Sequence, residues 1–239
     1  KSQTDSLKFN IDQIKEKMPS CNLSFSLSDN PVVSALLKRN GITLGLAQLD
    51  FSSNGKEPVY LKSGIYSLKQ GEASIDSICA NLNQNTETLE YELLAGGVKS
   101  GETKGGSIKL FGVAVDNSLT INCLQADSEQ NKGFDFGGRV LLDSTSLTFS
   151  MITPKPILGF REFIVNDSNY IALSDKERIE ADFVLTSGEK LVSLQSGQDT
   201  TQNQLFVKLQ QLDIASMLKL YPLSPKIEGV LSADLGLNL

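Results

Sequence analysis

The sequence predicts an all-β protein, built as a long antiparallel meander in which each strand pairs with the next. Three observations carry this prediction. Apolar and polar residues alternate along most of the chain, which is the pattern of a strand with one buried and one solvated face. Turn-forming residue pairs separate the alternating runs. Helical patterns are confined to a few short segments.

The alternation is clearest near the two ends of the chain. One face of SCNLSFSLSDN carries Cys21, Leu23, Phe25 and Leu27. The closing stretch KIEGVLSADLGLNL repeats the pattern, with an apolar face made of Ile227, Gly229, Leu231, Ala233, Leu235, Leu237 and Leu239. By the same criterion, further strands are predicted over 6–11, 42–51, 58–68, 71–82, 86–95, 106–115, 118–126, 134–142, 145–151, 160–165, 170–174, 178–186, 189–196 and 204–211.

Glycine-containing and Asp-Asn pairs are predicted to break the chain between strands, because these residues accept the backbone angles of tight turns. The pairs are Asn54-Gly55, Gly96-Gly97, Gly105-Gly106, Asp116-Asn117, Gly137-Gly138 and Ser187-Gly188.

Two short helices are predicted to interrupt the meander. In SDNPVVSALLKRNG, Asp29 or Asn30 can cap the first turn, Pro31 suits the first helical position, and Asn40-Gly41 supplies a left-handed stop. Its apolar stripe consists of Val32, Val33, Leu36 and Leu37. We expect each helix to lie against the sheet, since so short a helix needs its apolar stripe buried.

The second helix is predicted in LDIASMLKLYP. Asp213 caps its first turn and Pro222 prevents its continuation. A weaker helical pattern covers 13–18.

The chain of 239 residues is long enough for a substantial core, and we predict one elongated β domain over 1–239. The nearest candidate boundary is ITPKPILG at 152–159, where two prolines interrupt the alternation. Because the chain starts at Lys1 and ends within a strand pattern, we expect a piece of a longer protein. No apolar run of about eighteen residues is present, so no membrane-spanning helix is predicted.

Charge and composition argue against several functions. The net charge is −6, with acids and bases interspersed, so nucleic acid is not an expected partner. The sequence has no His, which removes the commonest general base and most zinc sites. It also has no Trp. We therefore predict a protein that is not an enzyme, with no catalytic residue, no cofactor and no metal site.

Three cysteines, Cys21, Cys79 and Cys123, lack the spacing of a metal site. The favoured interpretation is that they are small buried apolar residues. A single disulfide with one spare thiol is the alternative.

Some motifs imitate catalytic ones. SMLK at 216–219, SDN at 28–30 and KSG at 62–64 and 99–101 resemble elements of penicillin-recognising serine enzymes, but their order along the chain differs from that family. The pairs Glu72 with Asp76 and Glu90 with Glu92 invite a glycosidase interpretation. The alternation around 90–92 instead indicates a solvated strand face.

The apolar strand faces leave two alternatives open. They form the core of a β-sandwich if a second sheet covers them. They form a groove for hydrocarbon chains if none does, and the mainly aliphatic lining with 7% aromatic residues suits such a groove. Composition alone favours the sandwich.

The chain from about residue 154 onwards resembles the TamB family of translocation and assembly module proteins, within the AsmA-like group. The resemblance rests on four motifs in order. They are D-x-N-Y-I-x-L from Asp167, A-D-x-x-L from Ala181, L-D-I-x-x-M/L-x-x-x-x-P from Leu212, and P-x-I-x-G-x-L-x-x-D-L-x-L from Pro225.

The resemblance implies a long curved sheet, shaped like a taco shell, whose groove holds phospholipid acyl chains. The side chains expected to line this groove are Leu23, Phe25, Leu27, Ile108, Leu110, Ile227, Leu231, Leu235 and Leu237.

The family resemblance also implies a setting and partners. It implies a periplasmic protein, anchored in the inner membrane by a segment outside this chain, that supports lipid transport, outer-membrane biogenesis and protein assembly. An outer-membrane barrel protein would be met by regions outside the chain. Because a groove of this kind exposes strand edges, we predict edge-to-edge pairing of two copies in crystals near 227–239. The alternative is a non-catalytic structural or adhesive β-sandwich.

Overall fold

The computed structural model of the protein describes residues 18–28, 30–54, 58–85, 87–101, 103–143, 145–174, 178–197, 203–218 and 227–238. The strand predicted at 6–11 lies outside the described residues, as does all but the last residue of the weak helical pattern at 13–18.

The prediction of an all-β fold with two short helices is confirmed. The described residues form one 20-stranded antiparallel sheet that is neither closed nor strongly curled. The first ten strands are β1 (Cys21–Ser28), β2 (Ile42–Thr43), β3 (Leu46–Ser53), β4 (Tyr60–Gln70), β5 (Ala73–Gln84), β6 (Thr88–Gly96), β7 (Lys99–Ser100), β8 (Thr103–Lys104), β9 (Ser107–Val115) and β10 (Ser118–Ala126).

The remaining strands complete the same sheet, so the described strands do not form the two facing sheets of a sandwich. They are β11 (Lys132–Leu142), β12 (Ser146–Met151), β13 (Ile157–Leu158), β14 (Arg161–Glu162), β15 (Ile164–Val165), β16 (Tyr170–Ser174), β17 (Ile179–Ser187), β18 (Lys190–Ser196), β19 (Gln204–Asp213) and β20 (Val230–Asn238). The helices are α1 (Pro31–Arg39) and α2 (Ile214–Leu218).

The long strands pair in the order of the chain. The spatial order is β1, β3, β4, β5, β6, β9, β10, β11, β12, β16, β17, β18, β19 and β20. Several short strands pair with the ends of long neighbouring strands: β2 pairs with β4, β7 with β5, β13 with β11 and β15 with β17. The fold is therefore a meander with interrupted strands.

Both helices lie at the same rim of the sheet. Each strand is antiparallel to the next, so its turns alternate between two opposite rims. The helix α1 connects β1 to β2, and α2 connects β19 to β20, both on the side of the turns at Gly71, Gly101, Gln130, Gly159 and Gly188. We call this side the helix rim. Neither described helix has the length and apolar character needed to cross a bilayer.

The first helix begins and ends as the sequence predicts. The Asn30 side chain accepts hydrogen bonds from the Val32 and Val33 amides at 3.0 and 3.2 Å, and Gly41 has a φ of 69°. Its expected burial is wrong, because Val32 and Leu36 are both exposed. The helix contacts β2 along its other side and leaves this part of the stripe in solvent.

The second helix covers part of the helix rim. The Asp213 carboxylate accepts hydrogen bonds from the Ser216 amide at 3.3 Å and from the Ser216 hydroxyl at 2.6 Å, which fixes the first turn. A Cβ on Gly159 would lie 3.4 Å from the Met217 side chain, so α2 packs against the turn between β13 and β14. The only residues between these strands are Gly159 and Phe160, both with positive φ, as a type I′ hairpin turn requires.

Gly137 and Gly138 do not break the chain, contrary to the sequence prediction. Both lie inside β11. A Cβ on Gly138 would lie 2.3 Å from the Phe149 ring, and one on Gly137 would lie 2.6 Å from the Asn122 side-chain oxygen. These glycines therefore make room for side chains of the neighbouring strands.

The candidate boundary at 152–159 is a bulge within the continuous sheet. The chain leaves regular pairing after β12 and resumes it at β13, while the opposite strand leaves it over 166–169. The Pro154 and Pro156 carbonyls accept hydrogen bonds from Val165 and Phe163 in this region. The sheet thus continues across the prolines.

Two asparagine side chains replace the missing strand pairing at this bulge. The Asn169 amide accepts from the Met151 N–H at 2.6 Å and donates to the Met151 carbonyl at 3.1 Å. The Asn166 side chain does the same on the other side, accepting from Val184 N–H at 2.9 Å and donating to Asp182 carbonyl at 3.1 Å. Each side chain therefore acts as a backbone peptide group.

We expect Asn169→Asp to lower the free energy of unfolding by about 1–3 kcal/mol, because the carboxylate cannot donate to the Met151 and Asn166 carbonyls. Urea unfolding followed by circular dichroism measures the loss. The control is Asp167→Asn, an equally small change at an exposed position of the same turn. Equal stability of the two variants would contradict the role assigned to Asn169.

Candidate functional site

The pairing register places the apolar residues of successive strands on one side of the sheet, which we call the apolar face. Directly opposite residues in neighbouring strands point to the same side. One row of opposite residues runs Leu27, Ala47, Ile65, Ile78, Ala95, Ile108, Gln125, Phe134 and Leu158. The next row runs Phe25, Leu49, Ser63, Ala80, Leu93, Leu110, Cys123 and Phe136.

The apolar face continues through the second half of the sheet. Val140 of β11 lies opposite Phe149, and the row continues through Ile171 to Ala181 of β17. From β17 another row runs Phe183, Leu194, Val207 and Leu235. One surface therefore extends from β1 to β20.

The sequence-predicted lining residues fall on this surface, with one exception. Leu23, Phe25 and Leu27 lie on β1, Ile108 and Leu110 on β9, and Leu231, Leu235 and Leu237 on β20. Leu231 lies opposite Leu212, a buried residue of the same face. Ile227 precedes β20, so the strand register assigns it to neither face, and it is exposed.

The predicted set left out equally suitable residues of the central strands. Ile65, Ile78, Leu93, Leu147 and Leu173 lie on the apolar face and are exposed. Their signal was the same alternation that marked the two ends of the chain, since each stands two residues from another apolar-face position.

Much of the apolar face is open to solvent. Leu93 is 48% exposed, Ile108 43% and Leu235 52%. Large apolar side chains exposed together on one face mark binding or interaction surfaces rather than an ordinary protein surface. Within the described residues, no second layer covers these side chains.

At one corner, on the helix rim near α2, the apolar face is closed off from solvent. A core cluster of buried side chains lies there, made of Met151, Phe163, Val165, Phe183, Leu185 and Leu212. Phe163 is 2% exposed. The apolar face thus combines a closed corner with a long open area.

The opposite side of the sheet, which we call the polar face, carries charged and polar side chains that form hydrogen bonds across neighbouring strands. The Lys109 ammonium lies 2.6 Å from a Glu92 carboxylate oxygen, and Asn81 donates to the other oxygen at 3.3 Å. The hydrogen bond from Lys109 is the main cause that lowers the pKa of Glu92 below its ordinary value. Glu90 shares this face, so the structure agrees with a solvated strand face over 90–92.

The residues that imitate a serine-enzyme site are not brought together. The Ser216 hydroxyl donates to Asp213 within α2, and Asn30 caps α1. Lys62 lies on β4, and Lys219 lies outside the described residues. In the described part of the chain, no cluster of three or more Cys, Asp or Glu side chains could hold a metal ion.

The cysteines are free thiols that occupy different environments. Cys123 is buried on the apolar face, as predicted, and burial raises the pKa of its thiol. Cys21 is exposed, so its predicted burial is wrong, because β1 has no strand on its outer edge among the described residues. Cys79 is half-buried on the polar face, 3.6 Å from the Tyr66 hydroxyl.

Comparisons of the chain with known proteins found no relative. No protein-family model, characterised protein or solved structure matches the chain.

Proposed function

We propose that the chain is a segment of a periplasmic lipid-bridging protein, whose apolar face shields phospholipid acyl chains between the inner and outer membranes. The observation that carries the proposal is the continuous apolar face, partly open to solvent, that the register builds from β1 to β20. The four TamB-like motifs support it from the sequence.

The physical basis of the proposal is the transfer of hydrocarbon from water. Each methylene buried against the face contributes about 0.8 kcal/mol, so one long acyl chain gains on the order of 10 kcal/mol. The apolar face is largely aliphatic, and tails of different length would gain in proportion to their buried area. Binding is passive in this scheme and requires no catalytic group.

The setting and the partners belong to the same proposal. An inner-membrane anchor and contact with an outer-membrane barrel protein would come from regions outside this chain. Pairing of two copies near 227–239 stays a prediction. It agrees with β20 pairing only with β19 among the described residues, which leaves its outer edge without a strand.

Photo-crosslinking from the two faces of one strand tests the proposal. We expect benzoylphenylalanine at position 108 to form phospholipid adducts, detected by mass spectrometry, and the same group at position 111 to form few. Ile108 and Phe111 both lie on β9 and are both exposed, but they point to opposite faces. Equal labelling, or protein adducts alone at 108, would overturn the proposal and favour a structural or adhesive role.

A further inference from the structure

Two cationic side chains lie on the otherwise uncharged apolar face between β9 and β20. Arg161 is opposite Leu158, which is opposite Phe134 in the first apolar row. Lys190 is opposite Ser187, two residues from the paired core positions Leu185 and Val192. At the other paired apolar-face positions of these strands, within the described residues, the register places no charged side chain.

Both cations line the same cavity at the helix rim. The cavity has a volume of about 20 Å³, and Phe163, Leu212 and Met217 form its apolar wall. This is room for about one water-sized atom. The two cationic side chains of the apolar face therefore lie at the same small cavity.

The side chains that share the cavity leave a net positive charge. The Lys190 ammonium donates to the Gln211 carbonyl at 2.5 Å, which holds it in place without neutralising it. Arg161 is exposed and forms no ion pair among the described residues. Asp213 also lines the cavity; hydrogen bonds from Ser216, and to a smaller extent the charge of Lys190, lower the pKa of its carboxyl group. Arg161, Lys190 and Asp213 together therefore carry one net positive charge.

We infer that this corner binds the phosphate of an anionic phospholipid whose tails lie on the apolar face. The inference rests on the proposed function and names the part of the ligand that the corner recognises. A guanidinium presents a planar fork of donors that matches two phosphate oxygens, and an ammonium adds a point charge. One phosphate oxygen fits the cavity, and the adjoining core cluster provides the apolar surface for the tails.

The location suits an amphiphile better than a free anion. Charged groups on an apolar surface lose hydration when a ligand covers them, so they favour a ligand that brings a compensating charge. Along the face away from this corner, the tails meet aliphatic rows. A phosphate at the rim with hydrocarbon on the sheet satisfies both parts of the surface.

The test compares dioleoylphosphatidylglycerol with dioleoylglycerol, which has the same tails and no phosphate, in titrations of the full chain followed by native mass spectrometry. We expect Arg161→Gln/Lys190→Gln to weaken phosphatidylglycerol binding about tenfold and to leave diacylglycerol binding unchanged. The control Arg139→Gln/Lys208→Gln removes the same charge from the polar face and should change neither affinity. Arg161→Gln alone tests the site if the double variant does not fold.

The outcomes separate this inference from the proposed function. If the wild-type chain binds both lipids and the Arg161/Lys190 variant binds phosphatidylglycerol as tightly, the phosphate site is wrong and lipid binding by the apolar face stands. If both double variants weaken binding equally, net charge alone is responsible and the site is again wrong. If the wild-type chain binds neither lipid, the proposed function fails and the inference fails with it.

Discussion

The variant Leu93→Glu/Ile108→Glu is expected to remain folded and to lose at least about nine-tenths of the lipid that co-purifies with the wild-type chain. Both side chains are exposed on the apolar face, so the free energy of unfolding should change little. In the lipid-bound state, however, each carboxylate would lie against acyl chains, where an unpaired charge costs several kcal/mol. Lipid extraction and mass spectrometry of the purified protein measure the loss.

A matched control separates the face from the charge. Leu141→Glu/Phe206→Glu adds the same two carboxylates at apolar positions that are 46% and 45% exposed, but these positions lie on the polar face. This variant should keep its lipid. Retention of lipid by both variants would show that the apolar face is not where the tails bind.

The second large effect is expected at the closed corner. Phe163→Ala should lower the free energy of unfolding by about 3–5 kcal/mol, because it empties the centre of the core cluster. Urea unfolding followed by circular dichroism measures the change. A shift of the transition midpoint without a change of slope would mark a loss of stability in an unchanged fold.

Phe206→Ala provides the comparison, because this substitution removes the same ring from a side chain that is exposed on the polar face of β19. It should cost less than about 1 kcal/mol. Similar losses for the two variants would mean that the sheet has no closed corner, and that the burial of Phe163 does not stabilise it.

Most strands could be predicted from the sequence, because alternation and turn residues are local signals. The predicted strand at 118–126 has the same bounds as β10, and the Asn30 and Asp213 caps form as expected. The apolar side of each strand could be predicted as well. The alignment of all these sides into one surface follows from the register, which tight hairpins fix.

The parts that could not be predicted depend on contacts between distant strands. The Gly137-Gly138 pair predicts a turn, and only the positions of Phe149 and Asn122 on neighbouring strands explain why both glycines lie inside a strand. The hydrogen bonds of the Asn166 and Asn169 side chains with neighbouring backbones require a bulge that no local sequence pattern predicts. The choice between two facing sheets and one open sheet is also invisible in composition, since both need the same apolar face.

The position of Arg161 on the apolar face could have been predicted from the sequence. In FREFIV, Arg161 stands two residues before Phe163, so alternation already places a charge on the apolar side of the strand. Recognising a site required Lys190 and α2 to meet it, and they come from elsewhere in the chain.

The shared orientation of the rows also restricts where the protein can change in length. Inserting or deleting one residue inside a strand would turn every following side chain of that strand over, mixing hydrocarbon with charge. The two register shifts, one where β10 ends against β11 and one between Leu209 and Leu212, sit close to the helix rim, so few residues beyond them are inverted. We therefore expect changes of length to be tolerated at the hairpin tips and at these last steps of the strands.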